Sequence, residues 1–277
     1  MPPGAARGEN RVSQAPFERR LLSVSGVDRL GAYIVLRVAD PAGPVPEPGQ
    51  FAMLATRERW GGGPQERPYL PRAFSVARHR DGESHFLLED VGPGSRRLCQ
   101  LAAGEMLWTL GPLGRGFTAP SHGRRAILVG GGVGIAPLAI LQDGLEDDPT
   151  VLLGFRDGAR AEGAALLDGA RLATDDGSAG HHGLVTDLLA AELERDPVAV
   201  VYACGPAGML EGVRALCASS SVPAQLALEA GMACGFGACF GCVVPRRDGD
   251  YVRVCVDGPV LDAAELDHVD VHAGASE

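Results

Sequence analysis

Residues 126–137 read Ala-Ile-Leu-Val-Gly-Gly-Gly-Val-Gly-Ile-Ala-Pro. A continuous aliphatic strand, Ala126–Gly130, runs into a glycine-rich turn, and a helix is expected from about Pro137. Strand, glycine turn and helix start in that order are what a pyrophosphate needs. The glycines allow close approach of the backbone, and the helix N-terminus meets the negative charge. The turn is not a clean G-x-G-x-x-G, because Ile135 stands where the third glycine belongs. By itself it fits a merely tight strand–helix turn equally well. Downstream the texture repeats. Val151–Phe155 reads as a strand, Ala161–Leu172 as a helical stretch, Asp175–Gly183 as a Gly/Asp/His loop and Val185–Glu194 as a helix. Val198–Cys204 is another strand and Ala207–Ala218 another helix. Strands alternating with helices specify a parallel α/β sheet. Cys204-Gly205-Pro206 then falls on the same carboxyl edge as the first turn, and two glycine turns on one edge favour a dinucleotide.

Upstream the pattern differs. Leu21–Val24, Tyr33–Val38, Phe51–Leu54, Ala73–Ala77, His85–Glu89 and Met106–Leu110 are short alternating runs, broken by Pro41–Gly49, Gly61–Pro64 and Gly92–Gly94. They predict an antiparallel barrel. The expected organisation is a loose tail at 1–16, the barrel at 17–120, the parallel sheet at 121–225 and a small C-terminal domain at 226–277. Residues 57–69 look like an extended loop.

The C-terminal part carries the sharpest chemical signal. Four cysteines fall within 22 residues as Cys234-x4-Cys239-x2-Cys242-x12-Cys255. The first three spacings match the plant-type [2Fe–2S] ligand run with a distant fourth cysteine. Gly235, Gly237 and Gly241 let the backbone wrap a cluster and aim amides at its sulfurs. A zinc knuckle would use the same four thiolates, but zinc sites usually show two C-x2–4-C pairs and here there is one. Cys99, Cys217 and, as a thiol, Cys204 read as plain buried cysteines.

Composition sets the limits. The chain has 277 residues, 45% hydrophobic and 22% charged, which suits about two domains or three small ones. Its net charge of −10 lacks the footprint of a nucleic-acid binder. All 25 basic residues are arginine, so a lysine Schiff base or P-loop is excluded. The longest apolar run, Ala126–Leu141, contains four glycines and a proline and does not read as a membrane span. No signal peptide is apparent, and seven cysteines without one point to a cytoplasmic protein with metal or redox chemistry. After the second strand, Asp157 suits a ribose hydroxyl and Arg156 a 2′-phosphate, which leaves NAD and NADP open. His181 and His182 read as solvated loop residues.

Arg72-Ala73-Phe74-Ser75 resembles the flavin motif of the ferredoxin-NADP reductase superfamily, and Gly92-Pro93-Gly94-Ser95 resembles its phosphate turn. Gly134-Ile135-Ala136-Pro137 and Cys204-Gly205-Pro206 resemble its two pyridine-nucleotide motifs. Leu228-Glu229 through Met232-Ala233-Cys234-Gly235, Cys242 to Asp257-Gly258-Pro259-Val260, and Gly111-Pro112-Leu113-Gly114-Arg115-Gly116-Phe117 are similar to the electron-transfer subunits of dihydroorotate dehydrogenase B. The resemblance spans residues 20–265. It implies an α+β multidomain architecture: an FAD-binding barrel, a Rossmann-like NAD-binding sheet and a [2Fe–2S] domain. For FAD it implies Arg72 on the pyrophosphate, Phe74 against the flavin, Ser75 near its redox edge, Ala73 beside them, the strand Leu87-Leu88-Glu89 along the cofactor, and Gly94 and Ser95 as phosphate donors. For NAD(H) it implies Gly132, Gly134, Ile135, Ala136, Pro137, Cys204, Gly205 and Pro206. For the cluster it implies Cys234, Cys239, Cys242 and Cys255. No catalytic side chain is expected, because the cofactors carry the reaction. The implied partner is an FMN-containing, dihydroorotate-oxidising subunit in a heterotetramer of two each, with no nucleic acid and no membrane. The same modules also serve as reductase subunits of ferredoxin-NADP+ oxidoreductase or hydrogenase diaphorase type. Ala73 and Ser95 replace the family's frequent Pro and Thr, Leu261 its frequent Phe, and Glu89 puts an acid near a phosphate site.

Overall fold

A computed structural model describes residues 18–60, 68–120 and 123–269; the tail expected at 1–16 and most of the loop at 57–69 lie outside them. Six strands close an antiparallel barrel in the order β1-β2-β5-β4-β3-β6. They are β1 (Arg20–Leu30), β2 (Tyr33–Ala39), β3 (Phe51–Thr56), β4 (Arg72–Arg80), β5 (Glu83–Glu89) and β6 (Met106–Leu113), with the short helix α1 (Pro93–Cys99) after β5. Each of the six alternating runs lies in one of these strands. Strand β6 alternates between buried and half-buried positions along its whole length, as a barrel wall should. Strand β3 does not: all six of its residues are buried. Ala52 and Leu54 fill the barrel, while Phe51 and Met53 join Leu113, Cys242, Val254 and Cys255 in a second core outside it. The barrel and the cysteine domain therefore share one apolar core.

The second sheet is built from β7 (Arg125–Gly131), α2 (Ala136–Gly144), β8 (Thr150–Phe155), the single helical turn α3 (Gly158–Ala161), β9 (Arg171–Thr174), β10 (His181–His182), α4 (Val185–Arg195), β11 (Ala199–Cys204), α5 (Ala207–Ser219) and β12 (Ala224–Ala227). The C-terminal segment adds β13 (Val243–Pro245), β14 (Tyr251–Arg253) and β15 (Val260–Asp262). The order is β10-β9-β8-β7-β11-β12-β15. All pairs are parallel except β12 with β15. Both faces are covered, so β11, Ala-Val-Val-Tyr-Ala-Cys, is buried at every position.

The helical stretch expected over Ala161–Leu172 forms only in its first half. Helix α3 gives way to a tighter turn over Glu162–Leu166, and Leu172 lies in β9. Gly163 packs against the Tyr33 ring and Gly169 has φ +67°, which breaks helical propagation. The sheet also takes strands from both sides of residue 226. β12 is parallel to β11, and β15 pairs antiparallel to β12 through Gln225–Asp262, Leu226–Leu261 and Ala227–Val260.

Barrel and sheet are locked together. Arg78 and Arg80 of β4 reach Asp143 of α2 at 2.6 and 2.9 Å, and Arg160 reaches Glu89 at 2.9 Å. The run Gly111–Phe117 latches three parts. The Arg115 amide donates to the Gly258 carbonyl, the Phe117 amide donates to the Pro48 carbonyl, and the Phe117 ring meets Tyr202 edge-on at 5.5 Å. Among the described residues no helix is long and apolar enough to cross a membrane.

Candidate functional site

Two cavities open between the barrel and the carboxyl edge of the parallel sheet. The smaller, about 220 Å³, is a slot with Phe51, Ala73, Phe74, Ser75 and Leu87 on the barrel side and Gly134, Ala136, Cys204, Leu228, Ala230, Met232 and Pro259 opposite. The larger, about 840 Å³, runs along the sheet edge past Gly131, Gly132, Gly154, Arg156, Asp175, Leu184, Pro206 and Met209. Val133 and Glu229 line both, so the cavities meet there.

The slot has the apolar walls and few polar groups of a planar-cofactor site. Ala73, Phe74 and Ser75 lie on it together because β4 runs along its barrel wall. Leu87 also faces it, while Leu88, fully buried, faces the barrel interior, as alternation requires. Glu89 continues the Leu87 face into the larger cavity. Its charge near a phosphate site is offset by Arg160, which also holds both oxygens of Asp157 through its own amide (2.9 Å) and guanidinium (2.7 Å). Arg72 lies against the Gly92–Ser95 turn: a methyl on Gly94 would come within 2.5 Å of the Arg72 Nε. Ser95 is occupied locally, since its hydroxyl accepts from the Val91 amide and donates to the Gly92 carbonyl. It shapes the turn, and the first amides of α1 are left as anion donors. The donor set and the cradle fit FAD.

The two glycine turns at the sheet edge touch. A methyl on Gly134 would lie 2.5 Å from the Cys204 carbonyl oxygen and 2.6 Å from the Gly205 Cα. Of the residues expected on a dinucleotide, Gly132 and Pro206 line the larger cavity and Gly134, Ala136 and Cys204 the slot. Ile135, Pro137 and Gly205 are buried behind them and act as backbone support.

The structure adds two residues to which the sequence assigns no role. Glu229 enters the sequence only as part of the cysteine run. It has surface open to both cavities, yet protein surrounds it on most sides, and this desolvation raises its pKa. No ion pair neutralises it among the described residues. Tyr33 is fully buried, and its hydroxyl lacks a hydrogen-bond partner among the described residues. It lines the larger cavity beside Glu89 and Arg160. Burial, then Glu89, push its pKa up. Only assembly of barrel and sheet creates either environment, so no local sequence signal marks them.

The four C-terminal cysteines form two pairs. Cys239 bears on the ionisation of Cys234, and Cys242 on that of Cys255; the Gly241 amide points at the Cys239 sulfur at 3.4 Å and the Cys255 amide at the Cys242 sulfur at 3.5 Å. Among the described residues no three His, Cys, Asp or Glu side chains converge on one ion. Two thiol pairs suit a two-iron cluster, in which each iron takes two protein sulfurs, rather than a tetrahedral zinc. The loop supplies the amides: burial raises the Cys234 thiol, but the N–H groups of Phe236, Cys239 and Ala238 and the Cys239 thiol bring it to about 7. Gly235 makes the loop's seat. At φ +80° it lies against the barrel, where a methyl would come within 2.5 Å of the Met53 Cγ. Met232, two residues before Cys234, lines the slot, so a very short stretch of chain joins the two centres. Burial pushes Cys255 up to about 12 and Cys99 and Cys217 to about 11 and about 12; it also raises Cys204, and Glu229 adds to that rise.

The comparisons with known proteins agree. Residues 229–267 match the family model described as the iron-sulfur cluster binding domain of dihydroorotate dehydrogenase B. A "Dihydroorotate dehydrogenase B (NAD(+)), electron transfer subunit" from Bacillus caldolyticus is 40% identical over 234 residues, covering 79% of this chain and 86% of the relative. Its namesake from Desulforamulus reducens is 33% identical over 266 residues, covering 90% and 97%. A solved NADH-dependent reduced ferredoxin-NADP oxidoreductase superposes with a TM-score of 0.77 at 26% identity, covering 90% of both chains.

Proposed function

Since the chain belongs to the family of electron-transfer subunits of NAD-linked dihydroorotate dehydrogenase B, we propose that it carries electrons from a dihydroorotate-oxidising partner to NAD+ in pyrimidine synthesis. The observation that carries the reading is the placement of the thiol quartet against the slot, with Met232 on the slot wall and Cys234 two residues on. FAD in the slot supplies the exchange between single electrons and a hydride, and a [2Fe–2S] cluster on the cysteines supplies single electrons. The chain's own residues position and insulate. Arg72 and the α1 amides hold the FAD pyrophosphate, and Ala73, Phe74, Ser75 and Leu87 line the ring. Gly132, Gly134 and the Cys204–Pro206 turn receive the dinucleotide, and Glu229 stands where the two ligands meet.

The partner docks on the outer face of the cluster. Cys239 is exposed there, as are Phe240 (63%), Phe236 (43%) and Tyr251 (70%), large apolar side chains left on the surface of the cysteine domain, which favours an interface. Arg253 lies over the Phe240 ring at 5.2 Å. The partner carries FMN and assembles with this chain two to two. None of the seven cysteines forms a disulfide, which suits a reducing cytoplasm. A ferredoxin-NADP+ or diaphorase role is not favoured, since curated relatives over most of the chain carry the dihydroorotate dehydrogenase name.

Anaerobic, dithionite-reduced protein is expected to give a rhombic paramagnetic resonance signal, with two irons and one FAD per chain as a rough content. The partner complex, and neither chain alone, is expected to couple dihydroorotate oxidation to NAD+ reduction. Iron-free protein with zinc on the cysteines would overturn the reading.

A further inference from the structure

One side chain that is not a cysteine braces the cysteine loop from within its own domain. Arg253 lies in β14, opposite Val243 of β13, two residues before Cys255. Its Nη1 donates to the Gly237 carbonyl at 3.3 Å, in the stretch between Cys234 and Cys239. The same guanidinium lies over the Phe240 ring, 5.2 Å from its centroid, in the stretch between Cys239 and Cys242. Arg253 thus touches both arms of the loop that the first three cysteines bound, and its own strand leads to the fourth. The fit is close. Gly237 has φ +86°, and a methyl there would come within 3.2 Å of the Arg253 Nη1 and 2.7 Å of the Val256 Cγ2.

The charge on Arg253 is only partly cancelled. Asp257 accepts the Arg253 amide through Oδ2 at 2.9 Å. The same oxygen lies 3.6 Å from the Arg253 Nε, too far for a hydrogen bond. The carboxylate is committed to the turn that leads out of β14, and it orients the guanidinium without capturing it. The two other arginines of residues 229–267 sit at the opposite end of the β13–β14 hairpin. Arg246 is shared by Glu265 at 3.3 Å and Asp248 at 3.7 Å, and Arg247 is exposed.

The geometry points to Arg253 as a positioning residue of the iron site: it holds the Gly237 and Phe240 arms against β14 and raises the reduction potential of the cluster. This rests on the proposed function, since it needs a cluster on the cysteines. A two-iron cluster on four thiolates is anionic and becomes more so on reduction, so a positive charge alongside favours the reduced form. Amides aimed at the sulfurs add to that effect only while the loop keeps its shape.

The test is a dithionite titration of the full chain loaded with FAD and iron, with the rhombic signal reporting the midpoint potential. Arg253→Gln should lower the potential by about 59 mV, a tenfold change in the reduction equilibrium, at wild-type iron content. Arg253→Lys keeps the charge and loses the planar contact with Phe240; it should recover more than half of that shift. Arg247→Gln removes the same charge at the hairpin's exposed end and should change the equilibrium by less than about twofold. An unchanged potential in Arg253→Gln, or an equal shift in Arg247→Gln, overturns the proposal. If Arg253→Gln loses its iron, Arg253→Lys decides: a full cluster there supports the proposal, and loss there too overturns it. Wild type without iron overturns the proposed function instead.

Discussion

The two ends of the parallel sheet treat charge in opposite ways. At the amino ends of its strands, Glu192 is almost wholly buried, with 3% of its side chain exposed, and is enclosed by Arg125 at 2.8 Å, Arg171 at 2.9 Å and Arg195. Arg125 also takes Asp196 at 3.0 Å. Each of these charges has a partner from the protein. At the carboxyl ends, Arg156, Asp175 and Glu229 face cavities with no ion pair among the described residues. Burial raises the Glu192 pKa, but Arg195 and Arg125 outweigh it and hold the carboxyl below its usual range. Desolvation without a partner leaves Glu229 above it. One fold thus uses ionisable groups to stabilise itself at one end and keeps them available for ligands at the other.

Substitutions should separate the two ends. Glu192→Ala is expected to cost about 1–3 kcal/mol, because the arginines lose their shared carboxylate while Arg125 keeps Asp196; chemical denaturation measures it, and nucleotide affinity should hold. Glycine 134 belongs to the other end but borders on backbone. Gly134→Ala should cost about 1–3 kcal/mol and weaken 5′-ADP binding, since the methyl meets the rigid Cys204 carbonyl. Glu229→Gln should slow hydride exchange with NADH roughly tenfold, about 1.4 kcal/mol in the barrier, as read by stopped-flow flavin absorbance. Its stability should move the other way. An acid with a raised pKa binds more protons folded than unfolded, so it subtracts stability as pH rises from its unfolded pKa through its folded one. The Gln variant should therefore melt no lower than wild type at neutral pH. The smallest effect belongs to Glu211, whose carboxyl Arg214 lowers to about 2. The pair is partly exposed, at 15% and 37%, so Glu211→Gln should cost under about 1 kcal/mol. That contribution is present above the unfolded carboxyl range and is lost as pH falls toward 2.

What the sequence revealed follows from the range of the interactions involved. The barrel strands were legible because alternation is a property of neighbours, and the cysteine ligands because a cluster imposes fixed spacing on one loop. Helix α3 was overestimated because the apolar spacing over 161–172 resembles a helix, while Gly163 is needed flat against Tyr33 of the barrel. The β12–β15 pairing was not legible: Val260–Asp262 is three residues long, and its partner lies more than thirty residues back. Asp157 looked free as a ribose ligand, but Arg160, one helical turn on, captures it. The environments of Tyr33 and Glu229 depend on where the two halves of the chain come together, and no local pattern records that.

The antiparallel strand at the sheet's edge has a dynamic consequence. A redox module hung on a linker can travel between donor and acceptor and must wait for each encounter. Here three backbone rungs, together with a glycine pressed into the barrel wall, deny the iron site that freedom. The separation between the cysteine loop and the slot is thereby set at folding.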